Sequence, residues 1–169
     1  MKPTVFLFTF FICLFSSKAQ TNTDSLVNIL NTNTLSSEEQ LLIYTKLCAY
    51  YEINDIEKFF FYAQKGLELT KKEKNKLRIV VFNNFYGRYY IYKSDYGSAL
   101  KYLELALDYA IGIKDKEWEG HIYGNIAMLY SNKGDFKTGI EYYQKSISCF
   151  EIIGKDDSCV MAYANIGGR

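Results

Sequence analysis

Proline is nearly absent from this chain, since the only one is Pro3. A proline inside a helix removes a backbone hydrogen bond and clashes with the preceding turn, so the rest of the chain can form long uninterrupted helices. The longest apolar stretch, from Val5 to Phe15, has eleven residues and is interrupted only by Thr9, whereas a membrane-spanning helix needs about twenty. We therefore expect no membrane span in the mature chain as given.

Patterns typical of catalysis or metal binding are missing as well. Histidine occurs once, at His121, and we interpret it as a solvent-facing side chain rather than a metal ligand. The sequence contains no glycine-rich phosphate loop, no nucleophile elbow and no pair of catalytic carboxylates. We predict that these residues form no enzyme, no metal site and no cofactor site.

The charge is almost balanced, with 20 basic and 19 acidic residues. Removal of residues 1–19 would take away Lys2 and Lys18 and no acid, which leaves 18 basic groups against 19 acidic ones. Binding to nucleic acid or to an anionic membrane depends on concentrated positive charge. We therefore predict no nucleic-acid partner for these residues.

Residues 1–19 have the organisation of a secretory signal peptide, with a basic residue, an apolar stretch and small residues before a cleavage site. We predict a mature chain that begins at Gln20 and is exported to the periplasm or the extracellular space. The odd number of remaining cysteines, Cys48, Cys149 and Cys159, does not indicate a disulfide framework. Buried thiols are the default interpretation, and a bond between Cys149 and Cys159 stays open.

What the sequence does contain is a repeat of forty residues. Asp55, Asp95 and Asp135 are spaced by this period. Four further sets of positions share it: Tyr50, Tyr90 and Tyr130; Ile56, Tyr96 and Phe136; Phe60, Leu100 and Ile140; Leu67, Leu107 and Ile147. Such a period is typical of a solenoid, in which each unit buries its apolar face against a neighbour. We place the repeats at about residues 40–79, 80–119 and 120–159, with a partial repeat at 160–169.

Each repeat shows two runs of apolar residues at helical spacing, separated by a short break. The breaks fall at Asn54-Asp55, Ser94-Asp95 and Gly134-Asp135, where the aspartate can accept the free N–H groups of the next helix. Small residues, which allow close packing, recur at the expected helix crossings: Gly87, Ala127 and Gly167 on the first helix, and Ala99, Gly139, Ala106 and Ser146 on the second. The sequence thus predicts two antiparallel helices per repeat.

The segment at residues 20–37 precedes the repeats, which begin at about residue 38. Residues 24–30 are predicted to form a short amphipathic helix over the open end of the stack, followed by a polar linker. Ser37 and Gln40 have the spacing of a capping box that would start the first repeat helix. No proline closes the second helices, which we expect to continue for a turn or more through Leu69, Tyr109 and Phe150.

The third repeat carries a recognisable pattern in Tyr123, Asn125-Ile126-Ala127, Tyr130, Gly134-Asp135-Phe136 and residues 139–145. The second repeat adds Gly87, Tyr90, Asp95-Tyr96 and Ala99. This pattern resembles the tetratricopeptide repeat family over residues 40–169, although the period is 40 instead of the usual 34 residues. The resemblance implies an all-α fold, a right-handed α-solenoid of antiparallel helix pairs, with a concave groove that binds a protein or peptide.

By the same resemblance, the first helices line that groove. The candidate contact residues are Tyr44, Cys48, Tyr51, Asn84, Arg88, Tyr92, His121, Asn125, Met128 and Asn132. Arg88 is the one cation among them, and together with Asn84 and Asn125 it could hold a carboxylate or the polar backbone of an extended segment. The alternative interpretation of Arg88 is a surface arginine or one that is paired with a nearby acid.

Two functions compete at this stage. The first is an exported, non-catalytic scaffold that binds a protein or peptide in the groove. The second, by resemblance to the sensor halves of bacterial membrane receptors, is the sensor part of a signalling protein in which a transmembrane helix would follow the repeats and lead to a histidine kinase or a helix-turn-helix effector. The apolar residues of the last helix, Val160, Met161, Tyr163 and Ile166, also favour this hypothesis, because a solenoid needs a polar closing helix.

Overall fold

The computed structural model describes residues 23–32 and 34–167, and the predicted signal peptide at residues 1–19 lies outside them. The described residues are helical except for short turns, and they include no strand. In chain order the helices are α1 (residues 23–32), α2 (Ser37–Asn54), α3 (Ile56–Glu73), α4 (Lys76–Tyr92), α5 (Tyr96–Gly112), α6 (Lys116–Asn132), α7 (Phe136–Ile152) and α8 (Asp156–Gly167). The prediction of an all-α fold is confirmed.

From α2 onward the helices pack in sequential pairs, α2 with α3, α4 with α5 and α6 with α7, and we call these pairs units 1, 2 and 3. Each second helix also packs on the first helix of the next unit, which produces the continuous stack of a solenoid. From α4 to α7 every helix has 17 residues and is followed by a three-residue turn. Two such segments make the forty-residue period, so both helices of a unit are long.

The three-residue turns repeat one hydrogen-bonding scheme. Ser94 adopts a left-handed conformation with a φ of 59°, and the next N–H, that of Asp95, donates to the Tyr90 carbonyl at 2.9 Å. This closes the end of α4 as a Schellman motif. The Asp95 carboxylate then accepts the Ser98 N–H at 3.1 Å and caps α5. Asp115 and Asp135 do the same for α6 and α7, as predicted for Asp95 and Asp135.

The start of unit 1 departs from the predicted pattern. The capping box is formed by Ser36 and Glu39, not by Ser37 and Gln40: the Ser36 N–H donates to Glu39 Oε2 at 2.9 Å, and the Ser36 hydroxyl accepts the Glu39 N–H. The Gln40 amide instead donates to the Leu35 carbonyl. Both pairs have the required spacing, and a carboxylate is the stronger acceptor for the capping N–H.

Close helix crossings account for the small residues. A Cβ atom on Gly87 would lie 2.5 Å from Leu103 Cγ, and one on Gly139 would lie 3.2 Å from the Ala127 carbonyl oxygen. Unit 1 has Leu47 and Phe59 at positions where the other units have glycine or alanine, and both are fully buried. The stack therefore has one crossing with large side chains and two with small ones.

The contacts between units follow a second rule of complementary size. Between units 1 and 2, a Cβ on Gly66 would lie 2.0 Å from the Phe82 ring, so the ring fills the space that glycine leaves. One repeat later the matching pair is Ala106 and Ile122, both fully buried in one apolar cluster. A large side chain on the first helix of one unit thus packs against a small residue on the second helix of the unit before it.

Other described features concern the N-terminal helix, the thiols and membrane insertion. The apolar side chains of α1, including Leu26 and Leu30, pack on the apolar core that units 1 and 2 share. Cys48, Cys149 and Cys159 are buried free thiols, which confirms the default interpretation and leaves Cys149 and Cys159 unbonded. Within residues 23–32 and 34–167 we find no helix with the length and apolar character needed for a membrane crossing.

Candidate interaction face

The first helices of neighbouring units contact each other, and we use the name first-helix face for the surface formed by the candidate residues of α2, α4 and α6 that are not buried. Polar bonds between neighbouring units organise this surface. Arg88 Nη2 on α4 lies 2.6 Å from Glu52 Oε1 on α2, and the Tyr92 hydroxyl donates to the same oxygen at 3.0 Å. The carboxylate of unit 1 therefore fixes two side chains of unit 2.

Burial dominates the electrostatics of Glu52. Only 7% of its side chain is exposed, and this desolvation raises the pKa of Glu52 even though Arg88 and Tyr92 favour the charged form. The Arg88 side chain is 30% exposed, and its Nε is buried without a hydrogen-bond partner among the described residues. Arg88 is thus an arginine paired with a nearby acid, the alternative that the sequence left open.

Glu52 was missed by the sequence analysis, although a signal for it exists. Acid–base pairs between units lie 36 to 40 residues apart, roughly one repeat, in the pairs Glu52–Arg88, Glu57–Lys93 and Glu38–Arg78. A search for opposite charges at this spacing would have found them. Because Glu52 compensates the charge of Arg88, the arginine is not an uncommitted carboxylate site.

Asn84 and Asn125 contact each other instead of flanking an open arginine. Asn125 Nδ2 donates to Asn84 Oδ1 at 2.7 Å, which joins units 2 and 3. Asn84 is 2% exposed, so it stabilises the junction and presents almost no surface. Cys48 and Tyr51 are also buried, in the apolar core that units 1 and 2 share. Of the candidates, these three belong to the interior.

The other candidates reach the surface. Tyr92, His121 and Asn132 are exposed, and Tyr44, Arg88, Asn125 and Met128 are partly buried. Tyr92 is 46% exposed, although its hydroxyl is held by Glu52. His121 packs edge-on against Trp118 and Phe150, and its Nε2 lies 3.7 Å from Glu117 Oε1. The two rings partly desolvate the imidazole, and this lowers the pKa of His121 although Glu117 acts in the opposite direction, which favours the neutral form at pH 7.

No group of three or more histidine, cysteine, aspartate or glutamate side chains in the described part of the chain is arranged to hold a metal ion. The face combines aromatic, amide and compensated charged groups, which suit contacts with a polypeptide.

A stack of helix pairs with a fixed period and side-chain bonds between units defines the class of α-solenoid repeat proteins. The family model described as "Tetratricopeptide repeat" matches residues 120–148, which lie within unit 3. This match, together with the same helix pairing in units 1 and 2, supports a tetratricopeptide-repeat architecture. No curated protein matches the chain. Tetratricopeptide repeats are typical of scaffolds for protein–protein interaction and are generally non-catalytic.

Proposed function

We propose that this chain is an exported, non-catalytic scaffold whose first-helix face binds an extended segment of a protein or peptide. The observation that carries the proposal is the arrangement around Tyr92, where an aromatic ring is half exposed while its hydroxyl is bonded to Glu52. A ring that is already held in place loses little conformational entropy on binding. Tyrosine and arginine, with tryptophan, are also the residue types enriched in binding hot spots.

The forty-residue period extends this surface from one unit to the next. Asn132 on α6 has the position that Tyr92 has on α4, and its side chain is exposed. A carboxamide offers both a donor and an acceptor, which matches the peptide groups of an extended chain. Since Glu52 compensates Arg88, the face has no strong field, and we expect a partner that is selected by shape and hydrogen bonding more than by charge.

A peptide selection tests this proposal. Peptides selected from a random library on phage against the immobilised chain are remade with a fluorophore, and their affinities are measured by fluorescence polarisation. We expect Tyr92→Ala to weaken binding about tenfold or more, and Asn132→Ala to weaken it less. Leu105→Ala is the matched control, because Leu105 is an exposed residue on the second helix α5. Peptides that bind both face variants as well as the parent chain would contradict the proposal.

Export rests on residues 1–19 and is tested separately. A fusion of the full chain to alkaline phosphatase, which is active only outside the reducing cytoplasm, is expected to be active and to start at Gln20 by N-terminal sequencing. An inactive fusion that retains Met1 would refute export and would not affect the proposed binding face. The sensor interpretation stays a prediction.

A further inference from the structure

A cavity of about 240 Å³ lies where α6, α7 and α8 meet. Its floor is formed by Tyr143, Ser146 and Phe150 of α7, which are buried. One wall belongs to α6 and includes His121 and Asn125, two residues of the first-helix face. The other wall is formed by α8. The cavity therefore adjoins the surface that we propose for peptide binding.

Two substitutions along the repeat explain why this junction contains a cavity. The position of Phe82 and Ile122, which fill the earlier junctions, is occupied by Ala162, opposite the small residue Ser146. The position of Asn84 is occupied by Gly124. A Cβ on Gly124 would meet only Ser146 Oγ, at 3.5 Å, so the backbone there does not require glycine. The cavity thus results from the small residues at these two positions and not from a distorted helix.

The chemistry of the lining restricts what the cavity can hold. None of the described residues that line it is an acid, a lysine or an arginine, and partial desolvation lowers the pKa of His121, which favours the neutral imidazole at pH 7. Burying a charge there would be unfavourable without a partner. Phe150 and Tyr143 offer aromatic surface. Asn125 uses its Nδ2 for Asn84, which leaves its carbonyl oxygen as an acceptor for a donor on the occupant.

The volume suits a bicyclic or substituted aromatic ring. A cavity of about 150 Å³ is sufficient for benzene, and this one is larger. An aromatic ring with one N–H or O–H group satisfies the apolar floor and the Asn125 acceptor at the same time. Aliphatic side chains would leave that acceptor without a partner.

We propose that this cavity binds a neutral aromatic group with one hydrogen-bond donor, namely the tryptophan or tyrosine side chain of the segment that lies on the first-helix face. That the ring belongs to a bound peptide rests on the function proposed above. Binding of an aromatic ring to the cavity does not depend on that function, because the cavity is formed by α6, α7 and α8 alone.

Free indole is the probe for the ring. Chemical-shift changes in ¹H–¹⁵N NMR spectra of the full chain give its affinity, and we expect shifts at Gly124, Asn125 and Ser158. Ala162→Ile restores the residue type of Ile122 and is expected to weaken indole binding at least tenfold. Gly124→Asn restores the residue type of Asn84 and serves if the first variant does not fold. Gly97→Ala is the control, because its Cβ would have ordinary contacts far from this junction.

The outcomes separate the two levels of the proposal. Absence of indole binding, or equal binding to a folded Ala162→Ile variant, would overturn the cavity site, while peptides sensitive to Tyr92→Ala would still support the face. Selected peptides supply the second arm: replacing their tryptophan or tyrosine by alanine should weaken binding to the parent chain and have little effect with Ala162→Ile. If indole binds but no peptide shows this coupling, the peptide source is wrong and the site takes a free aromatic molecule.

Discussion

The contact between Gly66 and Phe82 gives the sharpest test of how units 1 and 2 adhere. In Gly66→Ala, the new methyl carbon would lie 2.0 Å from Phe82 Cε1 and 2.3 Å from two further ring atoms, whereas carbon atoms prefer separations of about 3.5–4.0 Å. Phe82 has no exposed surface, so the ring cannot turn into solvent. The backbones of α3 and α4 must therefore separate.

The expected magnitude is the balance of two terms. Overpacking of a buried site costs about 1–3 kcal/mol, and three overlapping atoms place Gly66→Ala at the upper end. Replacing a helical glycine by alanine stabilises the helix by about 1 kcal/mol. We expect a net loss of about 2 kcal/mol in the free energy of unfolding, measured by urea denaturation and far-UV circular dichroism. Gly97→Ala has the helix gain without the overlap and should be neutral or stabilising.

A double variant examines the size rule directly. Gly66→Ala with Phe82→Ile recreates the pair that the chain uses one repeat later at Ala106 and Ile122. Phe82→Ile alone should cost about 1–2 kcal/mol through lost burial. If the two sites are complementary, the double variant should lose about 1 kcal/mol, far less than the separate losses together. Additive losses, or a Gly66→Ala variant as stable as Gly97→Ala, would refute the reasoning.

Three further predictions concern titration and accessibility. Donors from Ser98 lower the pKa of Asp95, so the stability that this cap contributes is present above about pH 3.9 and is lost as the pH falls through the folded pKa. Asp95→Ala should lower Tm at pH 7 more than Asp95→Asn, and equal Tm values for the two variants would contradict capping. Burial raises the pKa of Glu52, so the free energy of unfolding should decrease as the pH rises from about 4.3 through the folded pKa. Urea unfolding at a series of pH values should show a weaker decrease for Glu52→Gln than for the parent chain. An equal decrease in both would be inconsistent with the raised pKa. The thiols of Cys48 and Cys149 are buried and have raised pKa values. Iodoacetamide should therefore label the peptides that contain them slowly in the folded protein and rapidly in urea, as measured by mass spectrometry. Fast labelling of the folded chain would contradict their burial.

The fold could be predicted because its information is local and periodic. Asp95 and Asp135 cap helices wherever a turn precedes them, and the forty-residue period repeats the same apolar spacing. The capping box was misplaced by one residue because two overlapping pairs satisfy the same spacing. Whether Ser36 or Ser37 caps the helix depends on whether the Glu39 carboxylate or the Gln40 amide reaches the backbone N–H of the serine. A sequence pattern does not contain the distance between these groups.

The candidate face was only partly predictable. The family resemblance assigned Tyr92, His121 and Asn132 to the surface of the first helices, and all three are exposed. They did not show that Asn84 is buried at a junction or that Arg88 is paired with Glu52. These properties depend on the distance between helices of neighbouring units, which the period leaves undefined.

The sequence by itself determined the helices, their turns and the stacking of units, because capping, helical spacing and repetition act over a few residues or recur unchanged. Tertiary structure alone decided which polar groups bond across units and where space remains. The junction at Ala162 contains a cavity because small side chains from three helices meet there. Each of those side chains is unremarkable in the sequence, and only packing brings them together.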